Sequence, residues 1–174
     1  MFTLDLGRIR TASERLEHVL PADSLAAPGD NFGITGPVEL KFEVFKDKDR
    51  YRLIGTVQGA LELTCSRCLD PFPWPVQAAF DLMYHPKTQV EGQSEREIGD
   101  GDFSAAFYEN EEIDLGQLVR EQLYLSVPMK PLCGESCQGL CPICGTNFNR
   151  GNCTCRRDWE DPRLAALRAL KRDQ

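Results

Sequence analysis

The sequence predicts an α+β fold: an antiparallel β-meander forming an open, barrel-like sheet, a helix packed on it, and a cysteine-rich tail ending in a short helix. Three observations carry this prediction. Apolar and polar residues alternate with period two in successive stretches between Val38 and Tyr84. A capped apolar stripe of helical period begins at Asp114. Six of the eight cysteines fall between Cys133 and Cys155.

Taken in order, Thr11 to Leu20 reads as a short, weakly amphipathic helical or irregular segment. Pro21 to Gly36 is rich in Pro, Gly, Ala and Asp and reads as a loop. Val38, Leu40, Phe42 and Val44 alternate with Glu39, Lys41 and Glu43, the signature of a strand with one face in the core and one in water. Lys46 to Arg50 reads as a turn. The chain returns through Tyr51 and Leu53, Ile54-Gly55 interrupts the period as a bulge would, and Val57, Leu61 and Leu63 restore it. After a Cys65–Cys68 turn, Val76, Ala78, Phe80, Leu82 and Tyr84 mark a third strand.

The stretch from Pro86 to Asn110 has few branched apolar residues and reads as a solvated loop. Asp114 with Gln117 forms a capping box, and Leu115, Leu118, Val119, Gln122 and Leu123 follow at helical spacing until Pro128 stops the helix. A last helix is expected from Asp161 as cap and Pro162 as its first residue, with Leu164, Leu167 and Leu170 opposite Arg163, Arg168 and Lys171. The division expected is a core domain over 1–130, with an acidic loop at about 86–112, and a tail over 131–174.

At 174 residues the chain has room for one hydrophobic core plus an appendage. Its net charge of −7 speaks against a freestanding nucleic-acid binder, but the charge is uneven. Between Glu91 and Asp114 nine acids face one base, Arg96, a local balance of −8 that leaves +1 for everything else. Arg150 to Gln174 holds seven bases and four acids and is locally basic at +3. The charged residues among the first twenty leave no room for the apolar stretch of a signal peptide, and no apolar run of membrane-spanning length follows. A cytoplasmic protein without membrane contact is expected.

In that reducing compartment the cysteines are expected to bind metal rather than to form disulfides. Cys141-Pro142-Ile143-Cys144-Gly145 has the form of a zinc knuckle, in which two thiolates two residues apart point at one ion and glycine lets the backbone turn its amides toward the sulfurs. Four sulfur ligands are needed, and Cys153 and Cys155 lie nearest, across the turn from Asn147 to Asn152. Cys133 and Cys137 can by spacing replace one or both of that pair, or complete a second site with Cys65 and Cys68. Spacing alone does not choose. A structural Zn2+ is expected, because the two histidines, His18 and His85, neighbour no zincin-like partner and an all-thiolate set leaves no water position.

Cys65-Ser66-Arg67-Cys68 also has the spacing of a thiol–disulfide oxidoreductase, whose reactive thiol sits at a helix N-terminus. Pro71, Pro73 and Pro75 follow at once and prevent that helix. No Ser/His/Asp set and no glycine-rich phosphate loop occurs, so no catalytic residue, enzymatic activity or small-molecule substrate is expected. Arg67, Arg156, Arg157, Arg163 and Arg168 are the candidate contacts for RNA or a partner. Phe72, Trp74 and Trp159 stand near some of them as stacking or core residues.

Three elements together resemble the YceD family: the Cys-x-Arg-Cys-Leu turn at Cys65 to Leu69, the Asp-Leu-x-x-x-Val-x-Glu-x-x-x-Leu-x-x-Pro helix at Asp114 to Pro128, and Cys-x-Gly-Leu-Cys-Pro-x-Cys-Gly-x-Asn at Cys137 to Asn147. The ending Asp161-Pro162-Arg163 with its leucines fits as well. The resemblance implies a non-catalytic bacterial factor in ribosome biogenesis that supports accumulation or processing of large-subunit (23S) rRNA. Its expected partner is the rRNA precursor or a ribosome-assembly protein. It also implies that the Cys65–Cys68 turn is the better candidate for a shared site, because some members lack the tail cysteines. A zinc-ribbon transcription regulator and, less so, a thiol–disulfide oxidoreductase using Cys65 and Cys68 are the rival readings.

Overall fold

Inward-facing Val38, Leu40, Phe42 and Val44 are all buried, and the strand they define organises the molecule. The computed structural model describes residues 2–87 and 105–155. Strands β1 (Thr3–Asp5), β2 (Ser13–Leu20), β3 (Gly33–Ile34), β4 (Val38–Asp47), β5 (Arg50–Thr64), β6 (Pro71–Pro86), β7 (Ala105–Tyr108) and β8 (Glu112–Asp114) are joined by a 3-10 turn at Leu6–Arg8, a one-turn helix α1 (Ala22–Leu25) and a helix α2 (Leu115–Ser126). The main sheet has the order β2-β4-β5-β6-β7, with β3 added to β5, and does not close on itself. β1 and β8 form a separate antiparallel pair. The expected α+β architecture, an open antiparallel meander with a packed helix and a cysteine-rich C-terminal region, is the one observed.

Four local readings change, the first at Pro21 to Gly36, read as a loop, which holds the one-turn helix α1 and the strand β3 paired with β5. Ser13–Leu20 is a strand paired along its whole length with β4, not a helical or irregular segment. Its half-buried positions are Glu14, Leu16 and His18, so the inner face is too polar to show an apolar period, and the ladder to β4 decides its conformation. No bulge occurs at Ile54-Gly55, because β5 keeps one unbroken register against β4 and β6. The pattern falters in the sequence because Gly55 and Gly59 stand at inward positions while Ile54 faces out. A Cβ on Gly55 would lie 2.3 Å from the Lys41 carbonyl and 2.5 Å from the Phe42 Cβ, so glycine is what lets β4 and β5 cross this closely. Finally, the stretch read as an acidic loop contains β7, which runs parallel to the end of β6 and is tied to the core by the edge-on packing of Tyr108 against Tyr51. The rest of that loop and the helix expected from Asp161 lie outside the described residues.

β6 begins with proline at alternate positions. Cys65 N–H donates to the Asp70 carbonyl at 2.9 Å, so even-numbered residues of β6 pair with β5 and odd-numbered ones point their N–H groups to the open side. Pro71, Pro73 and Pro75 therefore interrupt no ladder bond and protect a sheet edge from further pairing. Asp114 caps α2 by accepting from Gln117 N at 3.0 Å, and Leu115, Leu118, Val119 and Leu123 bury the helix face in the common core. Arg120 fastens the helix to the α1 region through the Leu25 carbonyl and Asp30.

Replacing Gly55 by alanine should cost about 3 kcal/mol of stability from overpacking, read as a lower urea midpoint. Alanine at Gly36, where nothing lies within 4 Å, should change it by less than about 0.5 kcal/mol.

Candidate metal centre

The β5–β6 connection is built as a knuckle. Leu69 N–H donates to the Cys65 carbonyl at 3.0 Å and Cys65 N–H to the Asp70 carbonyl at 2.9 Å, closing a turn that leaves both sulfurs on one side. The Cys141 turn repeats these bonds: Gly145 N–H to the Cys141 carbonyl at 2.9 Å and Cys141 N–H to the Thr146 carbonyl at 2.8 Å. In both, the residue after the second cysteine takes a left-handed conformation, φ 59° at Leu69 and 74° at Gly145. Leucine at that position hides the likeness of the two turns from sequence inspection.

Folding sorts the eight cysteines into two sets of four, Cys65, Cys68, Cys133 and Cys137 beside the sheet, and Cys141, Cys144, Cys153 and Cys155 farther along the tail. Within each set the four sulfurs lie within 4.8 Å of one another, and each set could hold one metal ion. Sγ of Cys65 is 3.8 Å from Sγ of Cys137, and Sγ of Cys68 is 3.7 Å from Sγ of Cys133. These separations far exceed a disulfide bond of about 2.05 Å. His18 and His85 belong to neither set.

The tail segment is held against the knuckle by more than sulfur. Ser66 N–H donates to the Pro131 carbonyl at 2.8 Å, and Nη1 of Arg67 donates to the carbonyls of Glu135 (3.1 Å) and Cys137 (2.9 Å). Arg67, expected from the sequence as an RNA or partner contact, thus holds the tail while remaining exposed. Arg156, Arg157, Arg163 and Arg168 lie outside the described residues.

Sequence reasoning missed a further group. The turn carrying Asn147 to Arg150 connects Cys144 to Cys153 but folds onto the other set. Asn149 Nδ2 donates to Cys137 Sγ at 3.3 Å, Asn147 Nδ2 to Asp70 at 2.8 Å, and Arg150 pairs with Asp70 at 2.9 Å. The repeated asparagines after the knuckle were the available signal. Such outer partners orient ligands and raise metal affinity, and here one turn serves both sets.

Electrostatically each set contains two thiols that favour charge and two that resist it. Burial pushes the Cys65 thiol up, but amide donors from Cys68, Cys133 and Arg67 outweigh it and bring the group down to about 6. Cys137 is lowered chiefly by Asn149. Cys133 is raised to about 12 by its neighbours Cys137 and Cys68, and Cys68 is raised by burial and Cys65 although the Asp70 amide opposes this. In the second set the Thr146 hydroxyl and amide bring Cys144 to about 6, and the Cys144 and Ile143 amides lower Cys141. Cys155 is raised to about 12 by Cys144, and Cys153 is raised mainly by Cys141 against the pull of the Cys155 amide. Four thiolates this close repel unless a cation stands among them.

A divalent ion entering either set must therefore displace the protons of the two raised thiols. Calorimetric titration at pH 7 in buffers of different ionisation enthalpy should show at least two protons released per ion. Because protons and metal compete for the same sulfurs, affinity should fall as pH falls. Proton release near zero would exclude coordination by all four sulfurs.

Among the described residues no helix is long and apolar enough to cross a membrane. The model of the family described as large ribosomal RNA subunit accumulation protein YceD matches residues 53–171. A Zea mays relative, "Large ribosomal RNA subunit accumulation protein YCED homolog 1, chloroplastic", is 28% identical over 88% of this chain and 60% of its own length. Its Arabidopsis thaliana namesake is 26% identical over 78% of this chain and 49% of its own. An uncharacterised Mycobacterium bovis protein is 31% identical over 75% and 60% respectively. The chain thus spans about half to three fifths of the length of these curated relatives. No solved structure matches. With both knuckles and the capped helix inside a family match that covers well over half of its residues, the chain belongs to the YceD family.

Proposed function

We propose that this protein is a non-catalytic factor supporting accumulation of large-subunit rRNA, in which each cysteine set holds one structural Zn2+ and the tail so fixed binds the rRNA precursor or an assembly partner. The observation that carries the reading is the pairing of Cys65 and Cys68 with Cys133 and Cys137, which makes the tail part of the core's architecture. Zinc bound by sulfur at about 2.3 Å defines a tetrahedron with edges of about 3.8 Å. The 3.7 and 3.8 Å sulfur separations match it. All-sulfur tetrahedral sites also suit iron, so metal analysis belongs in the test.

The role in rRNA accumulation rests on family membership and on the printed names of the plant relatives. Arg156 follows Cys155 directly, so zinc in the second set fixes where the basic residues Arg156, Arg157, Arg163 and Arg168 begin. Those residues, with the exposed side of Arg67, are the proposed RNA or partner contacts. The oxidoreductase reading loses support because Cys65 and Cys68 are 0% and 3% exposed, beyond the reach of a substrate disulfide.

Protein purified under reducing conditions should contain about two zinc ions per chain. Cys65→Ser/Cys68→Ser and Cys141→Ser/Cys144→Ser should each lose about one. Cells lacking the protein should have a lowered ratio of large- to small-subunit rRNA, restored by the wild type and not by the Cys65→Ser/Cys68→Ser variant. Absence of metal would refute the site assignment, and an unchanged rRNA ratio would refute the function.

A further inference from the structure

β2 lies at the outer end of the main sheet, with β4 on one side and, among the described residues, no strand on the other. Lys46 N–H donates to the Ala12 carbonyl at 3.0 Å, which fixes the parity of this ladder. Even-numbered residues of β2 turn their backbone groups to β4, and Ser13, Arg15, Glu17 and Val19 turn theirs to the open side. The side chains of the same residues are exposed. The Ser13 carbonyl accepts the Thr11 hydroxyl at 2.8 Å and has a second lone pair to offer. Edge strands commonly avoid further pairing through proline, a bulge or charges that repel a neighbour. β2 has no proline and keeps an unbroken register to β4.

Its charges have both signs, and their order selects one partner. When a second β2 lies antiparallel to the first, with Leu16 opposite the partner's Leu16 on a two-fold axis, Arg15 stands opposite the partner's Glu17 and Glu14 opposite the partner's His18. The symmetry repeats each match. Residues with free backbone groups then face each other, Ser13 with Val19 and Arg15 with Glu17, as an antiparallel ladder requires. Sliding one strand by two residues, the smallest step that keeps this parity, sets Arg15 against Arg15 or Glu17 against Glu17. The matched register also continues a pattern present within the chain. On the exposed face Glu17 lies opposite Lys41, and Arg15 lies opposite Glu43 with a 3.8 Å ion pair. Across the two-fold axis the row reads Lys41, Glu17, the partner's Arg15, the partner's Glu43, alternating in sign at every step. On the other face half-buried Leu16 meets its own copy, and His18, stacked on Phe42 with ring centroids 6.1 Å apart, meets the partner's Glu14.

We propose that the free edge of β2 binds a second copy of this chain, joining two six-stranded sheets into one through antiparallel β2–β2 pairing centred on Leu16. The contact is isologous, so it closes as a dimer and leaves neither β2 edge free. Backbone hydrogen bonds supply the attraction and the order of charges sets the register. No cysteine and no residue of the tail takes part, so the proposal goes beyond the proposed function and does not depend on it.

Sedimentation velocity of the full-length protein, purified under reducing conditions and run over a wide range of concentration, tests it. The wild type should pass from monomer to dimer as concentration rises. Arg15→Glu and Glu17→Arg each set like charges against each other on both sides of the axis, and each should weaken self-association about tenfold or more. Both side chains are exposed, so neither change disturbs the core. An equimolar mixture of the two variants again places opposite charges across the axis and should dimerise within about threefold of the wild type, a recovery that misfolded variants could not show. A wild type that stays monomeric at every concentration would overturn the proposal. Variants that self-associate as the wild type does would also overturn it, as would a mixture no more dimeric than its components.

Discussion

The placement of the segment from Cys133 to Cys155 depends on the meeting of two sulfur pairs from distant parts of the chain. Cys65 and Cys68 come from a strand connection and Cys133 and Cys137 from beyond the helix; Cys65, Cys68 and Cys137 are buried together against Phe72, Leu132 and Leu140, and Cys133 closes the set from the exposed side. From Cys133 to Cys155 the buried residues are three, Cys137, Leu140 aside as half-buried, Cys141 and Gly139. So little apolar surface does not offset the entropy of fixing over twenty residues at about 1–2 kcal/mol each. With metal in both sets, coordination supplies the missing stabilisation, and the ions act as the tail's core.

The long β5–β6 hairpin turns that local fact into an architecture. Its continuous register from Tyr51 opposite Tyr84 to Thr64 opposite Pro71 makes one long arm with the cysteines at its tip and Tyr84 beside α2 at its base. Gly55 permits the close approach of β4, and the alternate prolines keep the outer edge of β6 unpaired near the tip. Asp70 completes the arrangement, because the residue that closes the knuckle through its carbonyl also receives Asn147 and Arg150 through its carboxylate. The two cysteine sets are thereby parts of one assembly.

Much of this was legible in the sequence where the signal was local. Period two announced β4 and β6, Asp114 with Gln117 announced α2, and Cys-x-x-Cys-Gly announced one knuckle. The rest depended on tertiary context. β2 was obscured because Glu14 and His18 occupy its inner face, the inward glycines of β5 imitated a bulge, and β7 is a four-residue strand within an acidic stretch. The grouping of cysteines was undetermined because sequence distance carries no information on which turns meet: the 65-residue interval from Cys68 to Cys133 is closed by the fold. Asn149 escaped notice for the same reason, since its sulfur partner lies twelve residues back and in the other set.

Charge sits at the other end of the hairpin from the sulfurs. The carboxylates of Glu109, Glu112, Asp114 and Glu121 gather beside Tyr84, thirteen residues and roughly 40 Å of strand from Pro71. In water at physiological salt that is several Debye lengths of about 8 Å, so their field is screened before it reaches the cysteines. The cysteine sets are therefore governed by what touches them, the amides of their own turns, Thr146 and Asn149, and not by the net charge of the chain.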